Sequence, residues 1–238
     1  MKILLNNLIL NASLTATDED ESYPVSRVKD RFLEYRFKSV VTSSTITASW
    51  ATNQTVSCIA IGYHNATSGT YTLKDSGGST VGSGSLEVDY DTCMTYFTAV
   101  STVRSIEITL TSTSVLYLGG LGCGDPLEIE YHNVNPRFDY INKDSATFLD
   151  GGQALGKLTK NRIVRNVTVG SLTEAQFLSI MDGLDMVGNS FPVYFDLYDT
   201  SHSRLKRPIH GILIGDGQFN RDSRSNDYST RLICSEAR

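Results

Sequence analysis

The sequence predicts a mainly β protein, with an antiparallel β-sandwich first and then a small β-barrel-like domain carrying one packed α-helix. Three observations predict it. Ile46, Ala48 and Trp50 alternate with Thr45, Thr47 and Ser49, and Ile106, Ile108 and Leu110 alternate with Ser105, Glu107 and Thr109. Such period-two patterning puts one face in a core and the other in water, as in an antiparallel sheet. Gly77-Gly78 and Gly82-Ser83-Gly84 supply the positive-φ positions that tight hairpins need. No helical pattern of useful length precedes residue 170.

Taken in order, Met1 to Leu10 is apolar but broken by Asn6-Asn7, and one lysine precedes the run. A first β-strand accounts for it better than a signal peptide. The Ser/Thr-rich stretch from Ser43 to about Tyr131 completes a sandwich spanning 1–131. Residues 132–156, with Pro136, Gly151, Gly152 and Gly156, change character and form a connector with short extended pieces. Residues 157–238 follow a β-α-β-β-β order. Asn161 to Val169 alternates as a strand, and Ser171-Leu172-Thr173-Glu174 matches a capping box. Phe177, Ile180, Met181 and Leu184 then make one apolar helical stripe, closed by a Gly188-Asn189 C-cap. Strands follow around Phe191 to Leu197, Ile209 to Ile214 and Tyr228 to Cys234.

Composition narrows the function. The chain has 238 residues, 40% hydrophobic and 20% charged, with a formal net charge of -5. That is the profile of a folded globular protein, and it lacks the basic face a nucleic-acid binder shows. The Lys and Arg residues after Arg204 are interleaved with Asp216, Asp222, Asp227 and Glu236, as on a solvated surface. No apolar run approaches the roughly twenty residues of a membrane span. Cys58, Cys93, Cys123 and Cys234 show no CxxC spacing, so zinc and dithiol chemistry are not indicated, and buried reduced thiols are expected.

The first half resembles the discoidin-like, or galactose-binding-like, jelly-roll sandwiches. The carriers are Ala16-Thr17, Tyr23-Pro24-Val25, Asp30, Trp50, Ala60 to Asn65, and Tyr117-Leu118-Gly119-Gly120-Leu121. The second half resembles the tail-tube-like domain of phage distal-tail proteins. Its carriers are Arg162 to Arg165, the helix with Phe177, Phe191 to Asp196, Gly211-Ile212-Leu213 and Tyr228 to Glu236. Together the resemblances imply a structural subunit of a virion tail tip or baseplate, made in the host cytoplasm. It would form a homo-oligomeric ring, a trimer or hexamer, with tail tube, hub and baseplate proteins as partners. The alternative is a carbohydrate-binding adhesion module for host surface glycans. No nucleic-acid partner is expected.

No catalytic, cofactor or metal residues are nominated, and a non-enzyme is expected. His64, His132, His202 and His210 lack metal-ligand spacing, and no GxSxG elbow singles out a serine. Asp18 to Glu21 and Asp89-Tyr90-Asp91 read as solvated loops rather than calcium sites. Candidate ligand or interface residues are Tyr63, His64 and Asn65, at the corner where an apolar strand ends. Tyr71, Tyr90, Tyr96 and Phe97 are further aromatics near loops and edges, with Phe97 assigned to the core.

Overall fold

A computed structural model describes the backbone of residues 2–30, 35–129, 137–141, 145–148, 154–157, 162–187, 192–196, 209–213, 218–221 and 228–236. It describes the side chains of residues 2–30, 35–129, 172–183 and 193–196. The expected Gly188-Asn189 cap, the basic tail after Arg204 and the side chain of Cys234 lie outside the described residues.

The strands are β1 (Lys2–Leu4), β2 (Ser13–Ala16), β3 (Phe37–Lys38), β4 (Ser43–His64), β5 (Ser68–Lys74), β6 (Thr80–Ser85), β7 (Thr92–Thr111), β8 (Tyr117–Gly124) and β9 (Leu127–Glu128). They continue as β10 (Arg137–Ile141), β11 (Ser145–Phe148), β12 (Ala154–Lys157), β13 (Arg162–Leu172), β14 (Pro192–Asp196), β15 (Ile209–Leu213), β16 (Gln218–Arg221) and β17 (Tyr228–Glu236). Among the described residues the one α-helix is α1 (Glu174–Val187). It is too short to cross a membrane.

The chain is mainly β, and its first half is an antiparallel β-sandwich, as the alternation predicts. β4 and β7 run 22 and 20 residues, far longer than an ordinary strand. Their pairing slips between Ser49 and Cys58, and these bulges let both strands bend and serve two regions. The first part of β4 pairs with β2 and β7, and the second part lies between β7 and β8. Ile46, Ala48, Trp50, Ile106, Ile108 and Leu110 all point into the core. Trp50 sits at its margin and donates from Nε1 to the Leu8 carbonyl at 2.9 Å.

The two glycine signals part company. Gly78 has φ +82 in the turn after β5, where Asp75 Oδ1 accepts from the Gly77 and Ser79 amides. Gly82 and Gly84 instead lie inside β6 without positive φ. Their missing side chains make room for Leu73 and Tyr71, since a Cβ on Gly84 would stand 3.0 Å from the Tyr71 ring. The Gly119-Gly120 pair likewise falls inside β8, which continues to Gly124.

The second sheet runs β10-β13-β17-β15-β14-β1-β9, with β16 on β17. It is antiparallel and carries α1, as expected. β1 pairs with β14 and β9, so the first strand of the chain lies in this sheet and not in the sandwich. A division at 1–131, 132–156 and 157–238 therefore cuts across strand pairing. Part of the connector is also sheet, because β10 pairs with β13, while β11 and β12 form a separate hairpin. The helix cap is displaced by two residues from the expected box. Leu172 still pairs with Tyr228 in β13, so Thr173 becomes the cap. Its Oγ1 accepts from the Gln176 amide at 3.3 Å, and Gln176 Oε1 accepts from the Thr173 amide at 3.0 Å. Ile180 is the buried member of the apolar stripe, with Phe177 and Met181 half-buried.

One strand face joins the two halves. Leu4 stands opposite Tyr194, and both pack with Cys58, Ala60 and Met94 of the sandwich. The alternate residues Ile3, Val193 and Phe195 are buried on the other side of the same strands, and Leu5 meets Gly183 of α1. Tyr194 lies against Gly122, where an added Cβ would come within 2.5 Å of its ring. Asn7, the interruption in the N-terminal run, is buried and donates to the Leu121 carbonyl at 3.0 Å while accepting from the Cys123 amide at 3.2 Å. Replacing Gly122 by Ala is expected to lower stability by about 1–3 kcal/mol in urea unfolding, because an overfilled contact must shift backbone or ring. Unchanged stability would show that the two halves do not depend on this contact.

Candidate functional site

The corner Tyr63, His64 and Asn65 ends β4, and the structure gives its three residues different tasks. Asn65 is committed to the fold. Its Nδ2 donates to Ser114 Oγ at 3.0 Å and to the Val115 carbonyl at 2.9 Å, and its Oδ1 accepts from the Tyr117 amide at 2.9 Å. It pins the loop before β8. His64 is buried, and its Nδ1 accepts from the Ala66 amide at 3.2 Å. Burial lowers its pKa, against the opposing pull of the Asp91 charge and the nearby Tyr90 backbone.

Tyr63 differs from both. It is half-buried with φ 54, a left-handed conformation that a bulky residue rarely adopts. Strain of this kind costs about 1–3 kcal/mol and gathers at functional sites. Its amide donates to the Asp91 carbonyl, which fixes the turn. The ring then stands 6.1 Å from that of Tyr117, tilted by 49°.

Cations lie over these rings. The Arg36 guanidinium is 4.3 Å from the Tyr117 centroid and 5.4 Å from that of Tyr63. The Lys38 ammonium is 3.6 Å from the Tyr23 centroid. Arg27 lies 5.1 Å from Tyr23 and 5.8 Å from Tyr35. Each contact contributes about 0.5–1 kcal/mol at a surface. The row is assembled from separate segments: the stretch between β2 and β3, β3 itself, the β4 corner and β8. Register explains it. Phe37 opposes Leu118 and both are fully buried, so their neighbours Arg36, Lys38 and Tyr117 face outward together.

Of the other aromatics, Tyr71 is buried and stacks on Phe97 at 4.7 Å, in keeping with a core role for Phe97. Tyr96 lies at the junction between the halves. Its hydroxyl donates to Asp196 Oδ2 at 2.9 Å, and Lys2 stands 4.4 Å from its ring. Burial, with the Asp196 charge second, pushes its pKa up. Tyr90 and Tyr35 are the open rings, 42% and 53% exposed. Sequence reasoning named Tyr63 and Tyr90 but missed Arg27, Arg36 and Lys38. The alternation Tyr35-Arg36-Phe37-Lys38 was the signal available.

Among the described residues no cluster of His, Cys, Asp and Glu could hold a metal. In the acidic run, Glu19 accepts from the Val25 amide and Asp20 from the Ser22 amide. Cys58, Cys93 and Cys123 are buried thiols, and Cys93 Sγ donates to the Tyr90 carbonyl at 3.1 Å. Burial pushes the thiols of Cys58 and Cys123 up, away from the reactive thiolate.

No protein-family model and no curated protein matches this chain. Solved structures do. A chitosan-binding module from a chitosanase/glucanase of Paenibacillus sp. IK-5 is 20% identical, covering 50% of this chain and 99% of its own, at TM-score 0.44. The lectin domain of lectinolysin, solved with Lewis b, is 10% identical over 50% of this chain and 94% of its own, at TM-score 0.44. A fucose-binding module of Streptococcus pneumoniae is 10% identical over 50% and 98%, also at TM-score 0.44. These are carbohydrate-binding modules, and none is a tail protein. No residue role passes from them to this chain.

Two outcomes follow from the corner. Asn65→Ala is expected to cost about 1–3 kcal/mol in thermal or urea unfolding, through three lost hydrogen bonds. A change within error would remove its structural role. His64 has a folded pKa below its unfolded value near 6.5. Below that value the unfolded chain binds the extra proton, so stability falls as pH drops through about 6.5 toward the folded pKa. His64→Gln should flatten that part of the stability–pH curve, and an unaltered slope would assign it to other groups.

Proposed function

We propose that the protein is a carbohydrate-binding module acting by binding and not by turnover, with its site on the outward face of β3, β8 and the β4 corner. The observation that supports this is the gathering of Tyr23, Tyr35, Tyr63 and Tyr117 with Arg27, Arg36 and Lys38 on one surface. Such a surface suits a sugar. The tyrosines offer hydroxyls and ring edges already ordered by folding, and the cations offer several donors to a sugar's oxygens. Ordered side chains lose little entropy on binding, so even a shallow site can retain a ligand. The strained Tyr63 marks the same place.

The ring-forming tail-tip subunit has no comparable observation in its favour, so the glycan-binding alternative is preferred. The test is a glycan array probed with the intact chain, followed by calorimetry on the strongest ligand. Arg36→Ala should weaken that ligand by about 10- to 100-fold, the range for a lost charged hydrogen bond, with the melting transition retained. An array without signal, or a ligand indifferent to Arg36→Ala and Tyr63→Ala alike, would overturn the proposal.

A further inference from the structure

The cations in this row are unusual for the chain that carries them. Acidic residues outnumber basic ones, 26 to 21. Lys2 and Lys74 follow that balance, lying 3.7 Å from Glu128 and 2.5 Å from Glu107. Arg27, Arg36 and Lys38 do not. Among the described residues none of the three is in an ion pair, and tyrosine rings are their neighbours instead. Acids are close at hand, since the Asp20 amide donates to the Lys38 carbonyl. The Glu19 and Asp20 carboxylates are spent on backbone amides of their own loop.

We infer that the row recognises an acidic oligosaccharide, a chain of carboxylate-bearing sugars, in preference to a neutral one. This rests on the glycan-binding proposal and adds the ligand's charge to it. Arg36 and Lys38 already cover faces of Tyr117 and Tyr23, so those faces are closed to the C–H stacking a neutral sugar would use. What remains outward is the donor edge of each cation. A guanidinium resting over a ring can present its fork of N–H groups to a carboxylate. The cations are also spaced apart rather than convergent. Arg36 and Lys38 flank buried Phe37, about 6.6 Å apart for extended backbone, and Arg27 shares the Tyr23 ring with Lys38. A row of spaced cations suits a repeating anion better than a single ion, which would need them to converge. The net charge of -5 and the covered rings disfavour a nucleic acid, which would need bases to stack.

The test is calorimetry of the intact chain at low salt against a panel of uronate trisaccharides, from galacturonate, glucuronate and mannuronate, and their neutral counterparts. Single-stranded DNA of matched charge is the third arm. At least one uronate should bind tenfold or more tighter than its neutral counterpart and than the DNA, and should weaken as NaCl is raised. Arg36→Gln and Lys38→Gln should each weaken it about tenfold, while Lys74→Gln, outside the row, leaves it unchanged. Neutral sugars binding as well as uronates would overturn the inference and leave the glycan-binding proposal standing. DNA binding equally well would overturn the preference for sugar. No binding by any saccharide of this panel would overturn the inference, and an array empty of all glycans would remove the proposal beneath it.

Discussion

Tyr194 is carried into the interior between two sheets because Gly122 leaves the strand opposite it bare. An aromatic ring can lie flat on a backbone only where no Cβ stands in its way, and β8 meets that need where Tyr194 arrives. Around that contact, Leu4, Cys58, Ala60 and Met94 close the interior, and Tyr96 bonds Asp196 at its edge. Both halves are conditioned by it. The second part of β4 has Ile59 and Ile61 in the sandwich core and Cys58 and Ala60 in the junction, so it is buried on both faces. β1 and β14 are buried on both faces as well.

Burial on two faces accounts for apolar runs where simple alternation would put polar residues. It also explains why the N-terminal segment crosses from one sheet to the other. After β1 it turns, and buried Asn7 meets the backbone of β8 with both ends of its amide, at the Leu121 carbonyl and the Cys123 amide. An unpaired buried amide would cost about 1–3 kcal/mol. The segment then passes Leu8, whose carbonyl takes the Trp50 indole proton. Three short polar contacts thus hold what hydrophobic area alone would leave free to slide.

The proposed site inherits its rigidity from that frame. β3 is only two residues long, yet Phe37 anchors it with no exposure, and its register against β8 sets Arg36, Lys38 and Tyr117 side by side. Asn65 holds the loop that leads into Tyr117, and the turn at Tyr63 brings a further ring beneath Arg36. Cations resting on rings keep their charge while losing mobility. Recognition by such a surface relies on order established at folding, not at binding.

Much of this was legible in the residues. Alternation at Ile46 to Trp50 and Ile106 to Leu110 determines a half-buried antiparallel sheet, since a strand's side chains can face only two ways. The helix with Ile180 and the Asp75–Ser79 turn are equally local, set by a 3.6-residue period and by glycine's access to positive φ. The helix cap shifted because strand pairing at Leu172 outlasted the local preference of Ser171. Tyr63, His64 and Asn65 stand together at the corner the sequence marks. His64 bonds the nearby Ala66 amide, and the hydrogen bonds that Asn65 makes come from the stretch leading into β8, which the sequence does not pair with it. What only the tertiary structure decided is long-range: that β1 joins the far sheet, that Gly122 receives Tyr194, and that Arg27, Arg36 and Lys38 meet rings from Tyr23 to Tyr117. Most of those contacts, Arg36 with Tyr63 and Tyr117 and Gly122 with Tyr194 among them, join residues separated by tens of positions, so no local period encodes them. Their geometry exists only once register and bulges have brought the strands together.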